Sequence, residues 1–280
     1  MKTKHSFLIV LALVCLSSCA PKVYYQVYKA TPVEQLVVEE DALVYEDENC
    51  EVVYNLWAEG GNIGFSFFNK TDQNIYLDKA ASFFILNGIA YDYYKDRTFT
   101  TSSAFGSTTS RGRSASASVT GFNFFDLLQT NRVQAGKRVD LMNSSGSSVS
   151  YNEQKVVCIP PHTQKYIYEY KITDALYRDC NLFRYPKKNQ VRTQRFYIND
   201  SPLVFSNRLA YTVGISDELI EFENEFYVSE ISNYPRREIT VEEYTEFCGE
   251  KSEIKTTLFK DASADKFYIT YTKEFGKMKH

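Results

Sequence analysis

From residue 23 onward the apolar positions recur mostly with a period of two, and Gly, Pro, Asn and Asp interrupt them at short intervals. That alternation predicts strands joined by turns. Residues 23–28 have strand composition. Residues 35–39 and 42–45 read as short strands around Glu40 and Asp41, and 51–57 as another. Gly60-Gly61-Asn62 signals a hairpin connection. In 63–68, Ile63, Phe65 and Phe67 share one face. Asn69-Lys70-Thr71-Asp72 reads as a turn, 75–77 as a strand, and 82–86 as a strand closed by the turn dipeptide Asn87-Gly88. Residues 89–94 return from it.

A long excursion from 97 to 154 breaks the pattern. Residues 98–120 are dominated by Ser, Thr, Ala and Gly, with Arg111 and Arg113 among them. They hold too few large apolar side chains to build a core, which predicts a mobile loop; 114–120 could instead pair as a polar edge strand. Residues 122–128 form a short apolar patch and 143–150 a second Ser/Gly loop. Pro160-Pro161 then leads into a strand at 165–170. Past Asp174 the pattern resets, with turns at 186–189 and 200–202 and strands at 208–213, 225–231 and 266–272. Thr240-Val241-Glu242-Glu243 fits a helix capping box, and Gly249 sits where a helix C-terminal cap would. Together they predict one short helix at 240–248.

Composition adds aromatic weight: 22 Tyr and 20 Phe but a single Trp, Trp57. Tyr and Phe suit half-buried pleated surfaces. The chain is mildly acidic, with a net charge of −3, which offers no electrostatic footprint for nucleic acid.

The N-terminus has a different logic. Lys2 and Lys4 precede an apolar run of about ten residues, too short for the roughly 20 that span a bilayer. A positive end before a short apolar core is the pattern of a secretory signal. Leu16-Ser17-Ser18-Cys19 resembles the lipobox of bacterial lipoproteins. That resemblance implies cleavage before Cys19, diacylglyceryl and acyl chains on Cys19, and a membrane anchor. Two or more chains hold stably where one is marginal. No Asp follows Cys19 at the second mature position and no acidic cluster follows it. By resemblance to sorting rules in other Gram-negative lipoproteins, this implies the outer membrane, facing the periplasm. Removing residues 1–18 also removes Lys2 and Lys4, leaving 30 basic against 35 acidic residues.

Four further cysteines remain, Cys50, Cys158, Cys180 and Cys248. An oxidising periplasm permits two disulfides among them, in any of three connectivities; buried free thiols are the equal alternative. The order of strand, Asn-Lys-Thr-Asp turn, strand, aromatic strand and Asn-Gly turn, closed by a Pro-led strand, resembles small Ig-like domains of secreted bacterial proteins over residues 50–172. The whole chain resembles uncharacterised predicted envelope lipoproteins of Bacteroides-type bacteria, a likeness that carries no biochemical assignment.

Candidate chemistry is sparse. The 69–72 turn matches the guanine-reading tetrapeptide of GTPases, but no phosphate loop accompanies it. Ser252-Glu253-Ile254-Lys255 has S-x-x-K spacing without its companion elements. His162 is the only candidate base inside the chain, with no G-x-S-x-G elbow to serve. No His/Cys group has zinc spacing. The carboxylate runs at 39–41, 46–48 and 242–243 match no calcium loop and read as solvated turns.

The sequence therefore predicts a mainly β protein. It would comprise a signal peptide at 1–18, a lipidated tether at 19–33, an Ig-like β-sandwich at 34–173 with long Ser/Thr-rich insertions, and a β-rich extension at 174–280 with the one helix. No cofactor, metal or catalytic residue is expected. The expected role is a non-enzymatic binding or scaffold module, held to the membrane by Cys19 and engaging an envelope protein. The alternative is a carbohydrate-binding or glycan-processing lipoprotein of an outer-membrane uptake system, using exposed Tyr rings or a paired set of carboxylates.

Overall fold

The computed structural model describes residues 22–33, 36–39, 41–105 and 145–273. In chain order the first strands are β1 (Val23–Pro32), β2 (Val37–Val38), β3 (Leu43–Glu46), β4 (Cys50–Tyr54), β5 (Phe65–Asn69) and β6 (Ile75–Asp78). Then come β7 (Phe83–Leu86), β8 (Ile89–Asp92), β9 (Thr98–Phe105), β10 (Ser145–Asn152), β11 (Val156–Ile159) and β12 (Gln164–Ile167). The last are β13 (Thr193–Arg195), β14 (Val204–Val213), β15 (Ile220–Pro235), β16 (Thr240–Phe247), β17 (Glu250–Phe259) and β18 (Lys266–Thr272). One four-residue helix, α1 (Arg236–Ile239), and one 3₁₀ turn (Lys188–Gln190) interrupt them.

The protein is mainly β, built from antiparallel sheets. The chain divides into two compact units. One gathers the described residues up to Tyr93 and from Cys158 on; the other is Tyr94–Val157. In the first, a nine-stranded sheet runs β11-β6-β14-β15-β1-β18, with β13 added to β15 and the β7–β8 hairpin added to β14. A five-stranded sheet runs β12-β5-β4-β3-β2.

Alternation explains the core. In β4, Cys50, Val52 and Tyr54 point inward while Glu51 and Val53 do not. β15 turns Phe226 and Val228 the same way. The two sheets meet through aromatic pairs: Tyr54 packs edge-on to Phe226 at 5.6 Å, Phe67 edge-on to Tyr211 at 5.6 Å, and Tyr45 stacks on Phe222 at 4.3 Å. Polar groups between them are paired: the buried Tyr54 hydroxyl donates to Asn224 Oδ1 at 2.8 Å, and Asn207 Nδ2 donates to the Ile63 carbonyl at 3.0 Å. Burial pushes the Tyr54 phenol far above its ordinary range. Gly61 allows the 55–64 connection to pass the core: its φ is +78°, and a Cβ there would lie 2.6 Å from Ile172 Cδ1.

Three stretches differ from their expected form. The region expected as a tether supplies β1 from Val23 onward, and β1 is an interior strand between β15 and β18. Its Tyr24, Gln26, Tyr28 and Ala30 are all buried. Strands from both sides of residue 174 share the nine-stranded sheet.

The helix expected at 240–248 is corrected. Among the described residues α-helix is confined to α1, and Thr240–Phe247 is a strand paired with Glu250–Phe259. The two local signals were ambiguous. A Gly with positive φ serves a helix end and a two-residue hairpin turn alike. Here Cys248 (φ +53°) and Gly249 (φ +82°) make such a turn. Thr240 does bond backward, its hydroxyl donating to the Arg236 carbonyl at 2.8 Å, closing α1 rather than opening a helix.

In the second unit, Thr98–Phe105, expected as loop, pairs in register with Ser145–Asn152. Phe99 stacks on Tyr151 at 5.3 Å, and Arg97 closes the base with Glu153 at 2.9 Å. Arg111, Arg113, the 114–120 segment and the 122–128 patch lie outside the described residues.

Candidate functional site

Cys19 lies outside the described residues. The other four cysteines are free thiols: Cys50 is buried, Cys158 half-buried, and Cys180 and Cys248 exposed. Burial and the neighbouring Asp47 push the Cys50 thiol well up.

The expected turn at 69–72 is a turn held by its own side chains. Asn69 Oδ1 accepts from the Thr71 amide at 2.8 Å, and Asn69 Nδ2 donates to the Ile159 carbonyl at 2.9 Å. The structure joins this turn to the candidate base: His162 Nε2 lies 2.9 Å from Asp72 Oδ1. Both side chains are exposed. Neither has a hydroxyl or thiol partner among the described contacts, so the pair lacks the nucleophile that a catalytic triad needs.

Two carboxylates of the 46–48 run are also structural. Asp47 Oδ1 accepts the Asn49 and Cys50 amides at 2.7 and 2.6 Å, and Oδ2 accepts the Tyr211 hydroxyl at 2.8 Å. Glu46 pairs with Lys70 at 2.8 Å. In the S-x-x-K segment the Ser252 hydroxyl donates to the Ile254 carbonyl at 3.0 Å, while the Lys255 ammonium lies 5.3 Å from the Tyr244 ring. The two side chains serve different partners. Among the described residues no group of three or more His, Cys, Asp or Glu gathers to hold a metal, and no helix is long and apolar enough to cross a membrane.

Two features have the form of a ligand site, one aromatic and one concave. Tyr91 and Tyr170 both pack on Phe84, at 5.9 and 5.2 Å. Phe84 is buried, and Tyr170 donates its hydroxyl to the Asp92 carbonyl. The cluster therefore pins the β7–β8 hairpin rather than presenting a row of rings. A cleft of about 150 Å³ opens beneath α1, lined by Lys29, Glu230, Ser232, Glu238 and Lys266 among others. Three of its charges are paired: Glu230 with Arg195 at 3.1 Å, Glu238 with Lys188 at 3.3 Å, and Lys29 with Asp265 at 3.8 Å, while Lys266 donates to the Asp261 carbonyl at 3.3 Å.

The feature without an internal explanation is the β16–β17 hairpin. It forms a sheet of its own, paired with no other described strand. Only Thr240 is buried in β16, and no residue of β17 is. Eight residues of strand extend about 26 Å, and an isolated two-stranded ribbon is marginal in water. Its base is secured: Phe259 packs against Trp57 at 5.0 Å, Tyr268 at 4.6 Å and Tyr25 at 5.3 Å, and Arg236 Nη2 donates to Thr257 Oγ1 at 3.1 Å. Beyond the base, large apolar side chains stand in solvent: Tyr244, Phe247 (83% exposed), Ile254 (77% exposed) and Leu258. Register puts Leu258 opposite Val241 and Tyr244 opposite Lys255. Five glutamates against two lysines in residues 240–259 make the arm acidic.

This arm escaped the reading of the sequence. Its signal was present as two runs, 240–247 and 250–259, of β-branched and aromatic residues mixed with charge, around a two-residue Cys-Gly turn. No family model, no curated protein and no solved structure matches the chain.

Proposed function

We propose that the chain is an envelope lipoprotein, anchored through acylated Cys19 in the outer membrane and facing the periplasm, that acts as a non-enzymatic scaffold. Its binding element is the β16–β17 arm. The observation that carries this reading is the exposure of Phe247 and Ile254 on a ribbon packed only at its base. A folded chain gains nothing by presenting such residues on a marginal ribbon. A partner that covers them gains both the apolar area and the unpaired backbone groups along the ribbon's edges. The acidic balance of the arm selects a partner protein whose contact strand carries Lys or Arg beside apolar residues. It disfavours a second copy of the same arm, since like charges would meet.

The test is a photo-crosslinking residue at Glu243, on the ribbon, in cells making the full-length protein. One adduct of discrete mass is expected, absent when the crosslinker replaces Lys165 on β12 and lost in the Phe247→Ser/Ile254→Ser variant. Acylation is read in parallel from the mass of the N-terminal peptide. A diffuse or variant-insensitive adduct pattern refutes the arm as binding element. An unmodified Cys19 refutes the anchor.

A further inference from the structure

We infer that the end of the nine-stranded sheet at which β1 begins is a lipid-docking surface for anionic headgroups, with Lys22, Arg184, Arg237 and Lys273 as its cations and the half-buried Tyr185, backed by the buried Tyr24 and Tyr271, as its interfacial ring. This rests on the lipoprotein reading of Cys19.

The first argument is reach. Three residues separate Cys19 from Val23, where the interior strand starts. Four residue steps extend at most about 14 Å, and the headgroup layer on each side of a bilayer is about 5–7 Å thick. A chain acylated at Cys19 therefore cannot hold this sheet end far from the surface. A flexible tether would have left the facing side open; an interior strand starting at Val23 closes it.

The second argument is what occupies that end. Val23 pairs with Thr272, and Tyr24 pairs with Tyr271 on one side and Pro235 on the other. The Lys273 amide donates to the Lys22 carbonyl at 3.0 Å, so these two lysines flank the strand start together. Tyr24 lies 5.3 Å from Tyr185 and 5.7 Å from Tyr271. Arg184 and Lys273 sit over the Tyr185 ring at 5.3 and 5.8 Å, and the Tyr271 hydroxyl donates to the Arg184 carbonyl at 2.6 Å. Lys22, Arg184 and Lys273 have no ion-pair partner among the described residues. Arg236 and Arg237 follow Pro235 directly, and both are exposed. A part-exposed Tyr ring such as Tyr185 with basic side chains around it suits a membrane interface, and unpaired cations next to an anionic leaflet gain from its surface potential. The placement is local, because the chain as a whole is acidic.

The experiment uses the mature chain produced without its acyl groups, Cys19→Ala, and vesicles of phosphatidylcholine with or without phosphatidylglycerol. Co-sedimentation with the anionic vesicles is expected, released by salt and absent with neutral ones. Lys22→Glu/Arg237→Glu/Lys273→Glu should weaken it at least about tenfold, each surface cation being worth about fivefold. Reversal of Lys155, Lys165 and Lys171, equal in charge but elsewhere, should leave it intact. Circular dichroism confirms that both variants fold. Equal loss in the two variants, or equal binding to both vesicle types, overturns the docking surface. If the native protein from cells carries no acyl group on Cys19, the anchor falls and the docking surface falls with it. If it is acylated but the triple variant binds normally, only the docking surface falls.

Discussion

Gln26 gives the sharpest test of β1 as an interior strand. It is a fully buried polar residue facing the core from the strand nearest the N-terminus. Its Nε2 donates to the Tyr177 carbonyl and to Asn233 Oδ1, both at 2.9 Å. Its Oε1 accepts from the Tyr177 amide at 2.7 Å and from the Tyr28 hydroxyl. Gln26→Leu keeps the volume and removes all four bonds. Two of the groups retain other partners: Tyr28 donates also to the Ala175 carbonyl at 3.1 Å, and the Tyr177 amide reaches the Tyr28 hydroxyl at 3.1 Å. The Tyr177 carbonyl and Asn233 Oδ1 are the groups left bare. Each costs about 1–3 kcal/mol, and the more apolar Leu returns about 1 kcal/mol. The net loss is about 1–5 kcal/mol, which lowers the Tm by about 2–20 °C for a chain of this size. The 174–185 segment, which carries Arg184 and Tyr185, should become protease-sensitive before the rest. Differential scanning calorimetry with limited proteolysis reads both. A Tm unchanged or raised would refute the reasoning, because it would mean that residues 23–32 are not buried in the sheet.

The same packing dictates three further outcomes. Phe247→Ser/Ile254→Ser removes side chains that are already about four-fifths exposed. It should cost at most about 1 kcal/mol in the free chain while abolishing the arm-dependent crosslink; a Tm drop beyond about 5 °C would place these residues in the core instead. Alkaline pH should unfold the protein cooperatively. Burial raises the phenols of Tyr28, Tyr54 and Tyr271, and it pushes Tyr45 up to about 12 with Asp47 adding to the effect. Stability from these neutral phenols is complete below the unfolded value of about 10 and is lost as pH rises through the folded values. Phenolate absorbance of this set should appear together with the loss of circular dichroism, and ionisation ahead of unfolding would contradict it. In native buffer Cys180 and Cys248 should be labelled at once by a thiol reagent and Cys50 only after denaturation. A chain that yields no thiol without reductant would overturn the free-thiol arrangement.

Much of the β pattern was legible. The turns at 69–72 and 87–88 and the strand at 266–272 stand where the residues put them, because Asn-Gly chemistry and strict alternation are local. The runs at 208–213 and 225–231 were recognised only as the last part of β14 and the middle of β15. The unrecognised start of β15 mixes Glu221 and Glu223 with apolar residues, and Glu223 is held across the strands by Arg208 at 2.8 Å. The candidate site was not legible. Thr240, Glu243 and Gly249 satisfy a helix rule and a hairpin rule equally, and only the 250–259 partner decides between them.

The amino-acid sequence by itself determined the β class, the turn positions and the aromatic character of the core, all of which arise from neighbours a few residues apart. It also contained the N-terminal motif from which the anchor is proposed. The tertiary structure alone decided that residues 23–32 are an interior strand, since their pairing partners lie some two hundred residues away in β15 and β18. It alone decided that His162 meets Asp72, that Lys22 and Lys273 stand together, and that four apolar residues of an acidic ribbon stay in solvent. Register between distant strands is set by the burial of whole faces at once. No window of sequence contains that information, because the faces that cover one another are far apart along the chain.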